Sequence, residues 1–211
     1  VASQMHACSY GKVKIQPFKG ETNTNFVDNG VVDLHVDYDV AGPYEHRSVL
    51  QGKAFEAAAI QIGDLDDPKF DLVMFCMPAG EGTNINWLAY AIPDEKYSFF
   101  SDPWCMSVSA QMHEIGHNFN LGHSGEVFGN KYSDQTGMMG YSYLQSDGPK
   151  MCYNPAKSYQ LGWYKDQVKT INPLESITDQ YTLNGVADYT KNPDALVVLH
   201  LSQPSSETET G

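Results

Sequence analysis

Three of the seven histidines stand within eleven residues, in the run HEIGHNFNLGH from His113 to His123. On a helix, His113 and His117 are four positions apart and share one face, so two imidazoles can hold one ion. Glu114 follows the first of them and projects beside that ion, where a general base must stand. His123 lies six residues past His117 and reaches the same ion only if the chain turns sharply beyond the helix. For this composition, His-Glu-x-x-His-x5-His arises by chance in roughly 3 of 10,000 chains of this length, which separates the triplet from the lone histidines His6, His35, His46 and His200. Three neutral imidazoles and no thiolate select a single zinc, with one position left open as in catalytic rather than structural sites. The chemistry such a set supports is metal-assisted hydrolysis, with a peptide bond as the expected target.

The elements that must position these residues can be read from local signals. A helix is expected from about Ser107 through QMHEIGHNFN. A second is expected where Asn154 caps and Pro155 takes the first helical position, ending at Gly162. An earlier helix is expected from about Tyr44 to Ile62, stopping at Gly63. Strands are expected at Gly11–Phe18, in the alternating VVDLHVDY (31–38), in the continuous apolar run Phe70–Pro78, at Ile85–Pro93 and, shorter, at Tyr97–Phe100. The apolar run Phe70–Pro78 reads as a strand buried on both faces. After Lys165 the pattern changes to short β-like pieces, QVKTI, QYTLNG and ALVVLHL, and the tail SSETETG is polar. The fold class is α/β (α+β), a mixed sheet followed by a more irregular C-terminal part.

Composition narrows the function classes. The 211 residues carry 13 Lys and Arg against 26 Asp and Glu, a net charge of −13. That sign repels nucleic acid and anionic membranes, which need a positive footprint. No apolar stretch reaches the length that spans a bilayer, and with no basic-then-apolar segment at Val1 any export signal is expected to have been removed already. The four cysteines, Cys8, Cys76, Cys105 and Cys152, are too far apart for a CxxC site. An even, widely spaced set suits two disulfides and an oxidising compartment, with three pairings open. The acidic stretch Gly63–Asp71 lacks the ligand spacing of a calcium loop.

HExxHxxGxxH followed by a methionine turn resembles the metzincin clan of zinc metallopeptidases, and GMMGYSY (Gly137–Tyr143) looks like that turn, with Met139 at its centre. More narrowly, SAQMHEIGHNFNLGHSGE, YSDQTGMMGYSY and MCYNPAKSYQLGWY resemble the gametolysin family, known from algae, over about residues 104–164. The resemblance implies a secreted endopeptidase with a protein or peptide substrate, and the algal members act on cell-wall glycoproteins; the chain is expected to be a monomer. It implies a two-part fold, with a twisted, mostly parallel mixed sheet and two long helices above. Below lies an irregular part with the methionine turn and C-terminal β pieces. On this reading residues 1–164 form the catalytic domain, the upper part ending at about 123, and 165–211 form a β-rich extension of a chain that continues further.

Within the resemblance, Met139 packs beneath the histidines, Tyr141 reaches the zinc as ligand or hydrogen-bond donor, and substrate pairs along an edge strand, for which Ile85–Pro93 is the candidate. The clan's glycine three residues after the second histidine is Asn120 here. Asn is the non-glycine residue that best tolerates the left-handed backbone expected there. Two other readings are distinguishable. A downstream acid such as Glu126 as third ligand would mark another hydrolase class, which His123 at its spacing opposes. A zinc-binding adhesion protein without turnover is opposed by the presence of Glu114.

Overall fold

The computed structural model of the chain describes residues 1–38, 47–78, 87–140, 151–175 and 179–202. In chain order the elements are helix α1 (Ala2–Cys8), the short strands β1 (Gly20–Glu21) and β2 (Phe26–Val27), helix α2 (Arg47–Gln61), and strands β3 (Val73–Met77), β4 (Ala89–Ala91) and β5 (Tyr97–Ser101). Helix α3 (Val108–Asn118), helix α4 (Pro155–Gln160) and strands β6 (Val168–Ile171) and β7 (Val198–Leu201) complete them. Among the described residues they form a mixed α/β structure with several small sheets. β1 pairs with β2 antiparallel, β6 with β7 parallel, and β5 lies between β3, parallel, and β4, antiparallel.

The central strand is the one that looked least important in the sequence. Every residue of β5 is buried. Phe99 stacks on Phe75 at 5.1 Å and on Tyr90 at 4.9 Å, while Phe55 of α2 meets it edge-on. Phe100 packs in the separate cluster that holds Cys105 and Ala110 of α3. The two phenylalanines thus join the strand to α2 and to α3, and each contributes roughly 1.5–3 kcal/mol by leaving water. The serines Ser98 and Ser101 hid this in the sequence, because they break the apolar run without being exposed.

Other expectations need correction. Residues 11–18 form no ladder. Residues 31–38 keep the expected alternation of exposed and half-buried positions, yet they too form no ladder. Period-two patterning reports which side is covered and does not supply a partner strand. The run Phe70–Pro78 yields only β3, and Cys76 on it is exposed, so the strand is not covered on both faces. Ile85–Pro93 yields only β4, with residues 85 and 86 outside the described set, and QYTLNG forms no strand. Helix α1 was not anticipated. Its anchor is the disulfide Cys8–Cys152, and the second disulfide, Cys76–Cys105, ties β3 to the turn that leads into α3. Two disulfides are compatible with an oxidising, extracellular setting. No described helix is long and apolar enough to cross a membrane.

The helix ends follow local chemistry. Ser107 caps α3 by accepting from the Ala110 N–H, and Asn154 caps α4 by accepting from the Lys157 N–H at 2.9 Å. At the far end of α3, Leu121 N–H donates to Gly116 C=O (2.9 Å) and Asn120 N–H to His117 C=O (2.8 Å). This paired closure requires left-handed backbone at Asn120, where φ is +60°. α4 closes identically: Trp163 N–H donates to Ser158 C=O, Gly162 N–H to Tyr159 C=O, and Gly162 has φ +75°. Asn120→Gly is therefore expected to leave thermal stability unchanged or slightly raised. Asn120→Val should cost about 1–2 kcal/mol, since a β-branched residue resists positive φ. Equal melting temperatures for the Val and Gly variants would contradict this.

Candidate metal centre

Helix α3 places His113 and His117 on adjacent turns, and the closure at Asn120 folds the chain back so that His123 faces them. Ligand atoms of the three imidazoles all lie within 4.8 Å of one another. Nε2 of His117 and Nε2 of His123 are 3.0 Å apart. Donors bound to one zinc at about 2.0–2.1 Å stand about 3.3 Å apart, so the set fits an ion with side-chain adjustment alone. The tautomers are fixed by carbonyl partners, which can only accept. His113 Nδ1 donates to Met138 C=O at 2.7 Å and His117 Nδ1 to Leu121 C=O at 2.8 Å. Each ring therefore keeps the lone pair of Nε2 for a metal.

The turn at Met138 and Met139 binds this cluster together at three points. The Met138 carbonyl orients His113. Met139, fully buried, lays its thioether against Gly116, where a Cβ would collide with the sulfur. The Met139 carbonyl accepts from Ser124 N–H at 2.8 Å, fixing the residue next to His123. Tyr153 closes the same floor, donating its hydroxyl to Met112 C=O at 2.7 Å. Gly116 does not stand out in the sequence, because only the packing of Met139 and Tyr153 gives its missing side chain a meaning.

Glu114 is 2% exposed. The Ala91 N–H of β4 hydrogen-bonds its carboxyl, and Oε2 has no partner among the described residues. An unpartnered buried carboxyl oxygen beside three imidazoles is the kind of acceptor a water at a metal would fill. Burial pushes Glu114 up to about 8, partly opposed by the Ala91 N–H. Burial likewise lowers His113 to about 3 and His123 to about 4, and moves His117 down. Tyr141 lies outside the described residues.

A residue to which the sequence assigns no role also contacts the site. The Tyr132 ring lies 4.1 Å from that of His123 and 6.1 Å from that of His113. His123 has no Nδ1 hydrogen bond among the described residues, so ring packing holds the third imidazole where carbonyls hold the other two. Tyr132 opens the family-like block YSDQTGMMGYSY, but no spacing or periodicity there gives it a role. Only the loop's return from Ser124 to Asp134, closed by Asp134 N–H donating to Ser124 C=O, brings it there. Tyr132→Ala should weaken metal binding about 10-fold, the lower end for loss of a supporting contact, while Tyr132→Phe keeps it. Competition with a chromogenic chelator reads both, and equal affinities for wild type and Tyr132→Ala would remove the role.

These shifts also link stability to pH in the metal-free protein. A histidine that stays neutral when folded but protonates near 6.5 when unfolded loses its contribution as pH falls below 6.5. Glu114 acts in the opposite sense, favouring the fold below 4.5 and losing that effect as pH rises through about 8. Three histidines outweigh one carboxyl. The metal-free protein should therefore melt at progressively lower temperature as pH drops from about 6.5 to 4, and less steeply in His113→Gln. A melting temperature that rises across that window would contradict the assignment.

No curated protein and no solved structure gives a significant match to the chain. The family described as Gametolysin peptidase M11 matches residues 1–210. With that match spanning the chain and a histidine triad able to hold a metal, the protein belongs to the gametolysin family of metallopeptidases.

Proposed function

We propose that the chain is a secreted, monomeric, zinc-dependent endopeptidase of the metzincin type, cleaving proteins, with extracellular-matrix or cell-wall glycoproteins as the natural class. We further propose that residues 1–164 form its catalytic domain and that 165–211 extend it. The observation that carries the reading is the convergence of three imidazoles on one point, with the carboxyl of Glu114 on the same helix. His113, His117 and His123 would hold the ion. Three nitrogen donors and no thiolate favour zinc over softer or harder alternatives. When bound, zinc supplies a Lewis acid for the scissile carbonyl and a positive charge that favours the carboxylate form of Glu114.

The chain's own residues account for the remaining steps. Glu114 accepts a proton from the attacking water at its carboxylate and passes it to the departing amine nitrogen. The Ala91 N–H holds one side of that carboxyl, so the rotamer is set before substrate arrives. β4 supports substrate alignment. Leu88 C=O accepts from Ser101 N–H and Ile92 N–H donates to Tyr97 C=O. Alternate residues of β4 thus face β5, and the main-chain groups of Ala89, with the carbonyl of Ala91, face away from it. Among the described residues no strand covers that outer edge. An extended peptide pairing there would lie beside Glu114, with its carbonyl carried toward the imidazoles. Tyr141, two positions after Met139, is assigned by family likeness to hydrogen-bond the oxyanion as it develops.

Three substitutions separate these roles. His117→Ala should lose most zinc and all turnover. Glu114→Gln should keep zinc while the rate falls at least about 100-fold. Tyr141→Phe should keep zinc and fold while kcat falls about 10-fold with KM little changed, equal to about 1.4 kcal/mol. Metal content by elemental analysis and cleavage of a peptide library test them. Near-native turnover in Glu114→Gln would refute the mechanism.

A further inference from the structure

We propose that Lys131 and Lys157 form a carboxylate-binding subsite beside His123, so that the enzyme prefers substrates with an aspartate or glutamate side chain on that side of the scissile bond. The proposal deepens the peptidase reading and rests on it. His123 is flanked by two ammonium groups that come from different parts of the chain. Lys157 sits in the first turn of α4, its backbone fixed by the Asn154 cap. Its Nζ lies 3.9 Å from where a side chain on Gly122, the residue before His123, would begin. Lys131 Nζ stands 5.0 Å from the centroid of the Tyr132 ring, and that ring packs on His123.

Among the described residues neither cation is neutralised. The ion pairs there engage Lys12, Lys53, Lys69 and Lys191, and neither Lys131 nor Lys157 appears in one or donates a side-chain hydrogen bond. The nearby carboxyl of Asp134 is already occupied by Thr136 and Asn154. Carboxylates outnumber cations two to one in this chain, and none of the described ones pairs with Lys131 or Lys157. Their position is what sets them apart, because positive charge beside imidazoles that would hold a metal opposes the binding of a cation. A carboxylate arriving with the substrate would offset that repulsion and gain two charge-assisted contacts. The net charge of −13 repels acidic substrates at long range, while the lysine pair reverses the sign locally. Recognition thereby favours peptides that present the carboxylate on that side of the scissile bond.

The experiment uses the full chain loaded with zinc and peptide pairs identical except for Glu or Gln, moved in turn through each position either side of the scissile bond. At one position or two neighbouring ones, the Glu peptide should exceed the Gln peptide about 5-fold in kcat/KM, the effect of two screened ion pairs. The ratio should shrink as salt rises, approach unity in Lys131→Gln/Lys157→Gln, and invert in Lys131→Glu/Lys157→Glu. Binding of the same pairs to Glu114→Gln, followed by fluorescence anisotropy, gives a readout without turnover and should show the same ratio. Cleavage with no Glu preference, or a preference unchanged in the double Gln variant, overturns the subsite and leaves the peptidase reading standing. A binding ratio without any cleavage supports the subsite and counts against the peptidase reading. Binding without a ratio overturns the subsite.

Discussion

The site depends on one contact between a side chain and the absence of one. Met139 can lie against the backbone of α3 only because residue 116 is glycine. That contact lets the flanking carbonyls of Met138 and Met139 reach His113 and Ser124. A β-carbon at position 116 would favour the helix by about 0.5–1 kcal/mol in isolation. Pushing a fully buried thioether out of a packed floor costs about 1–3 kcal/mol. Packing outweighs helix propensity, so the helix interior keeps a residue that disfavours helix. Three imidazoles spread from His113 to His123 are held as a unit by the turn at Met138 and Met139.

The sheet serves the same end from the other side. β5, buried along its length, sets the height of α3 through Phe100 and Ala110. Asn118 of α3 donates to the carbonyls of Tyr97 and Ile92, and His117 C=O accepts from Asp94 N–H. The helix is thereby docked at its C-terminal end to the β4–β5 turn. That docking brings the Ala91 N–H to Glu114. The Glu114 carboxyl and the outer strand edge are coupled through one hydrogen bond, so a shift of β4 would be felt at the carboxyl.

What could be read in advance was what local physics decides. Histidine spacing, the Ser107 and Asn154 caps, and the left-handed turn at Asn120 each involve residues within a few positions of one another. What could not be read was decided by distant partners. The strand at Tyr97 became central because β3 and β4 flank it. Residues 31–38 alternate correctly without a ladder because alternation carries no information about a neighbour. Tyr132 and Gly116 matter through what packs on them, and the cysteine pairing through the path of the whole chain. Family likeness supplied the methionine turn, whose carbonyl contacts no residue pattern would have disclosed.

The disulfides have a topological consequence. Cys8–Cys152 encloses nearly all of the catalytic elements, and the loop closed by Cys76–Cys105 is nested inside it. Any single backbone scission between those outer cysteines leaves two fragments that remain one covalent molecule. A peptidase is exposed to its own kind at every encounter. In this chain, the nicked product cannot drift apart, so its halves stay at the high effective concentration at which α3 and the turn beneath it can remain assembled.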